Sequence, residues 1–126
     1  MKTKMTCQVL LMMTLALGSI AWGVQMPQAI NNDKDLRAAL KAAKTPEDHQ
    51  RIAAYYTAKA GSLDSQAAGY EQAAATYRNG PVVKNLMAPN TAARYESMAK
   101  GFREQAQANR EMAATHEQMA KSATQP

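Results

Sequence analysis

Between residues 45 and 121 the apolar and polar positions repeat every seven residues, in two separate stretches. In the first, Ala53, Ala60, Ala67 and Ala74 recur beside His49, Tyr56, Leu63, Tyr70 and Tyr77. In the second, Ala92, Ala99, Ala106, Ala113 and Ala120 recur beside Tyr95, Phe102, Asn109 and His116. Within each stretch the two series stand three and four residues apart, which makes them the two edges of one seam on a helix. Small residues at every seventh position let two antiparallel helices approach closely, and the larger flanking residues cover the join.

The boundaries are written in local chemistry. Thr45-Pro46-Glu47-Asp48 supplies a hydroxyl N-cap, Pro at the first helical position and acids in the first turn. Asn79-Gly80-Pro81 ends the same helix. The pattern therefore predicts helices over 46–78 and 91–121. A connector over 79–90 carries Pro81, Pro89 and the apolar group Val82, Val83, Leu86 and Met87, expected to cap the closed end. Gly61 and Gly69 lie inside the first long helix, where each costs about 1 kcal/mol relative to Ala. They either admit a close neighbour or are simply tolerated. A shorter helix over 33–44 is predicted upstream, with Leu36 and Leu40 four apart, acids leading and lysines closing it. It offers little apolar surface and is expected to dock loosely.

The fold class is all-α: a long antiparallel helical hairpin with an alanine-rich heptad seam and a short N-terminal helix. With 126 residues the chain has room for one domain. Its core is thin, because alanine contributes little burial per residue. Two remedies are open: the first helix packs into the hairpin as a third member, or two hairpins pair as a dimeric four-helix bundle. Tyrosine on the seam leans toward the second, since its hydroxyl needs a polar edge.

Composition changes the picture at the N-terminus. Lys2 and Lys4 precede an apolar run from Val9 to Gly18, and Ala21-Trp22-Gly23 offers small residues for cleavage. This is the layout of a secretory signal peptide over 1–23, cut near Gly23, and the run is short for a spanning helix of roughly 20 residues. Cys7 lies before the apolar run, where a lipid-anchored cysteine would lie after it. The division expected is signal peptide 1–23, mobile leader 24–32 and hairpin domain 33–122, in the periplasm or secreted, with no stable membrane insertion. Cleavage removes the only Cys and the only Trp, so packing alone would hold the fold. It also removes two lysines, lowering the net charge from +5 to +3. That mild, dispersed excess makes no nucleic-acid footprint.

Catalytic constellations are missing from the sequence. There is no Ser/His/Asp set, phosphate-cradling Gly-rich loop, haem-attachment motif or HExxH helix, and no catalytic residue is expected. Most carboxylates fall near basic residues of their own helix, as in Glu96 and Lys100, Asp48 and Arg51, and Glu111 beside Arg110, which reads as a solvated face. The five tyrosines either line a groove or form the core, and core is the commoner use.

One constellation has chemical content. Pairing the helices so that Tyr77 faces the Thr91 turn puts His49 near Met119 and within a turn of His116, and Tyr56 near Met112. Two imidazoles with the thioethers of Met112 and Met119 form a soft ligand set suited to Cu(I). The imidazoles alone would suit Zn(II) or Ni(II). The plainer use of the same residues is half-buried histidine bonded to Glu47, Asp48 or Glu117, with methionine as core filling.

The segment Thr45-Pro46-Glu47-Asp48-His49-Gln50-Arg51-Ile52-Ala53-Ala54-Tyr55-Tyr56, with Ala113-Ala114-Thr115-His116-Glu117-Gln118-Met119-Ala120, resembles a loose group of small exported bacterial proteins. These are alanine-rich helical hairpins with a TPEDH-type start and a late His on the return helix. The resemblance spans about 45–121 and implies the hairpin and export, but no activity. In general shape the chain is also similar to periplasmic helical-hairpin stress proteins, whose LTxxQ signature it lacks, so no chaperone role carries over. The function expected is a non-enzymatic binding or structural module, partnered by itself or by another envelope protein, with no resident cofactor. A metal-handling protein for Cu, Zn or Ni is the second expectation, and a holdase-like stress protein the third.

Overall fold

A computed structural model describes residues 28–80 and 88–124. The signal-peptide assignment, Cys7, and the connector residues Pro81, Val82, Val83, Leu86 and Met87 lie outside the described residues. Three helices and no strands are found among those described: α1 Asp33–Ala42, α2 Pro46–Asn79 and α3 Ala88–Ala123. No helix is long and apolar enough to cross a membrane among the described residues.

The α2 start follows its sequence. Thr45 Oγ1 accepts from the Asp48 backbone N–H at 3.2 Å, and the Asp48 carboxylate accepts from the Thr45 N–H at 3.1 Å. This reciprocal pair is a capping box, which satisfies N–H groups that have no partner within the helix. Asn32 caps α1 through its side-chain oxygen alone, accepting from the Asp35 N–H at 2.9 Å. α3 begins at Ala88, one turn before the predicted start, because Pro89 is compatible with a first turn.

α3 lies antiparallel along the length of α2, and all nine seam alanines are buried. Leu63 closes the middle of the seam with Ala60, Ala106 and Phe102. Toward the closed end the large residues become a stack of rings. Tyr70 lies against Phe102 with ring centres 5.3 Å apart and planes 6° from parallel, and against Tyr95 at 5.9 Å; Tyr77 follows on Tyr95 at 5.5 Å. Four of the tyrosines therefore serve the seam, at its half-buried edges where hydroxyls reach water.

The flank of the seam holds a feature the sequence reading placed differently. The carboxylates reach across the hairpin. Arg103 bonds Glu71 through two nitrogens, at 3.0 and 3.1 Å, and Asp64 at 3.1 Å. Arg110 also pairs with Asp64, and Arg78 pairs with Glu96. Local pairing survives between Asp48 and Arg51, at 3.7 Å, and between Lys100 and Glu104, at 3.8 Å. The reason is positional: Asp64, Glu71 and Arg78 each follow a large seam residue, as do Glu96, Arg103 and Arg110, and an antiparallel pair brings those positions face to face.

α1 packs against α2 and does not reach α3, so it is no third member of the seam. Asp33 Oδ1 accepts from the Tyr55 hydroxyl at 2.6 Å and from Lys59 Nζ at 3.1 Å. Leu36 is the buried residue of α1, and Ile52 is the largest fully buried side chain of α2. The Gln28 carbonyl accepts from Arg51, which ties the described end of the leader to α2.

Candidate functional site

At the open end of the hairpin the seam finishes in imidazoles. His49 belongs to the second turn of α2, just after the capping box; His116 lies two turns before the end of α3. Their Nδ1 atoms are 3.0 Å apart and their ring centres 5.3 Å apart, with planes tilted by 33°. The 5.3 Å is the 3.0 Å between nitrogens plus about one ring radius at each end, so the two nitrogens meet head-on. One Nδ1 must carry a hydrogen and the other a lone pair, which makes this an N–H···N bond between two different tautomers.

Tyr56 completes the group. Its ring lies 6.1 Å from that of His116, with planes 24° from parallel. His116 is 7% exposed, whereas His49 is half-buried. Burial holds the His116 imidazole below its ordinary 6.5, and the charge that His49 can carry adds to the effect. The neutral pair carries one proton on each ring. Adding two more would set N–H against N–H and two cations face to face.

The other two members of the predicted ligand set stand apart. Met112 and Met119 flank His116 one turn to either side, and both are more than two-fifths exposed. Met119 lines a shallow surface depression with Ala114, Thr115 and Gln118. The structure thus brings His49 and His116 into contact and leaves the thioethers at the rim. Asp48, suggested above as a histidine partner, is committed to the Lys44 and Thr45 N–H groups. Those bonds hold its carboxyl below the ordinary carboxylate range. No group of three or more His, Cys, Asp or Glu side chains suited to a metal occurs among the described residues.

A groove of about 640 Å³ runs between residues 28–31, α1 and the start of α2. Its walls mix alanines with polar side chains, and its guanidinium, Arg51, is already engaged by Gln28 and Asp48. The polar residues that sequence reasoning missed are the cross-helix ladder and the Asp33, Tyr55 and Lys59 node. Opposite signs at matching flank positions of the two seams were the available signal for the first. The second had none, since it depends on how α1 folds back.

No protein-family model, curated protein or solved structure matches the chain.

Proposed function

We propose that this protein is an exported, non-enzymatic helical module that acts through its outer surface, paired with a second copy or another envelope protein. The observation that carries the reading is the closed seam: nine buried alanines fill the space between α2 and α3. A ligand must therefore meet the outside of the rod or its open end. Met98, Met112 and Met119 recur at multiples of seven on one side of α3, each between 43% and 44% exposed, and give that outside an apolar stripe. The signal-peptide layout of residues 1–23 supports export. Cell fractionation with in-cell cross-linking tests the reading. Recovery outside the cytoplasm, cross-linked to itself or to one envelope protein, is expected; a cytoplasmic protein with no cross-linked partner contradicts it.

A second reading, metal handling, is favoured by the histidine pair. Two imidazole nitrogens at one seam end, with thioethers one turn away on each side, form a donor set chosen by soft and borderline ions. A rise in melting temperature with Cu(I), Zn(II) or Ni(II), lost in His49→Ala, is the expected sign.

A further inference from the structure

The two nitrogens that meet head-on also define a direction. We infer that the His49–His116 pair is a binding site for a singly charged, linearly coordinated soft ion, Cu(I), held between the two Nδ1 atoms. This rests on the metal-handling reading and selects among its metals.

Geometry makes the selection. A tetrahedral Zn(II) takes nitrogens at about 2.0–2.1 Å, approaching from directions far from opposite. A tetrahedral ion would require both rings to turn so that their Nδ1 axes converge. A square-planar or octahedral ion could take the two nitrogens trans, but it needs two or more further donors around that axis, and no group of three or more His, Cys, Asp or Glu side chains stands there among the described residues. A linear ion uses the axis already present and asks only that the nitrogens move apart, from 3.0 Å to about 4 Å for two bonds of about 2 Å. The site lies at the open end of the hairpin, where His49 is half-buried and the seam has one turn of α3 left to spread.

Charge and donor type agree. A doubly charged ion beside a side chain as buried as His116 needs carboxylates or a third imidazole, and no such grouping is present among the described residues. A single charge needs less compensation. The thioethers of Met112 and Met119 can add weak side contacts that suit a soft ion.

The proton balance closes. The neutral pair holds one proton on each ring, one of them at a bridging Nδ1. When the ion binds, that proton moves to Nε2 of its own ring through solvent, both Nδ1 lone pairs face the ion, and no proton is released. No redox step is involved, because the ion enters as Cu(I).

The test is an anaerobic competition titration of the protein with Cu(I) supplied as its acetonitrile complex, against a chromophoric chelator, with Zn(II) and Ni(II) titrated in parallel. X-ray absorption at the copper edge reports the coordination. One Cu(I) per chain is expected, with a linear two-nitrogen signature and affinity well above that for Zn(II) or Ni(II). His49→Ala should weaken it by about tenfold or more, and His116→Ala likewise, while Met119→Leu should cost far less. His49 is half-buried, so its variant keeps the test valid should His116→Ala unfold. If no metal binds, the metal-handling reading falls and this inference with it. If Zn(II) or Ni(II) binds as tightly as Cu(I), or the copper is not linear, metal handling stands and the linear site is overturned.

Discussion

Glycines of similar appearance in the sequence do different work here. A Cβ built on Gly61 or Gly69 meets nothing within 4 Å, so neither residue admits a close neighbour. Both are helix-interior glycines with no packing reason. Gly61→Ala and Gly69→Ala should each stabilise the protein by about 0.5–1 kcal/mol, read as a raised urea midpoint with unchanged slope. Gly80 is the opposite case: a Cβ there would lie 2.5 Å from the Thr76 carbonyl oxygen. That oxygen is the acceptor for the Gly80 N–H at 2.9 Å, so the contact closing α2 would be disturbed. Gly80→Ala should lower the midpoint, and a neutral result would contradict the cap geometry. Sequence placed Gly80 at a helix stop correctly, but whether Gly61 and Gly69 faced a neighbour depended on which side α3 occupies.

At the scale of the element, the seam was legible because one residue type marks it. Alanine every seventh position on two segments fixes which faces meet, but a slip of one heptad preserves that match, so the register stayed open. Tyr77 was expected opposite the Thr91 turn and stacks on Tyr95, one turn along. Tyr56 was expected near Met112 and lies on His116. The cross-helix ion pairs were not read, although Asp64 and Glu71 have no Lys or Arg three or four residues away on their own helix and only Glu96, with Lys100, had such a local partner. Those ties are exposed and add modestly to stability. The alanines matter more. Ala67 and Ala106 are fully buried in the middle of the seam. Ala67→Leu would force the helices apart and should cost about 1–3 kcal/mol, seen as a lower melting midpoint. Ala58→Leu, on the exposed side of α2, should change little. Equal effects of the two substitutions would show that the seam is not tightly packed.

For the whole molecule, the open end is where the fold is most responsive to conditions. His116 titrates below its ordinary 6.5 in the folded chain, whereas unfolding returns it to that value. Between the two values the unfolded chain binds more protons, so stability is full above about pH 7 and falls as pH drops through 6.5. His116→Gln should flatten the dependence of melting temperature on pH between about 7 and about 5; an unchanged slope would place the titration elsewhere. Asp33 acts in a separate window. Its bonds from Tyr55 and Lys59 hold its carboxyl below its ordinary 3.8, so the docking of α1 weakens only in stronger acid. The approach of His49 to within a turn of His116 was legible only under one assumed pairing, Tyr77 opposite the Thr91 turn. Their head-on contact was not, because it depends on side-chain rotation that no spacing encodes. The exposure of Met112 and Met119 escaped for a related reason: position beside a seam does not fix whether a flexible thioether turns inward. The central claim, that the seam register closes on a shared N–H···N bond, is tested most directly by nitrogen-15 NMR of the two imidazoles in the metal-free protein at neutral pH. One ring protonated at Nδ1, the other at Nε2, with coupling between the facing nitrogens, is predicted. Two rings both protonated at Nε2 and exchanging freely with water would contradict it.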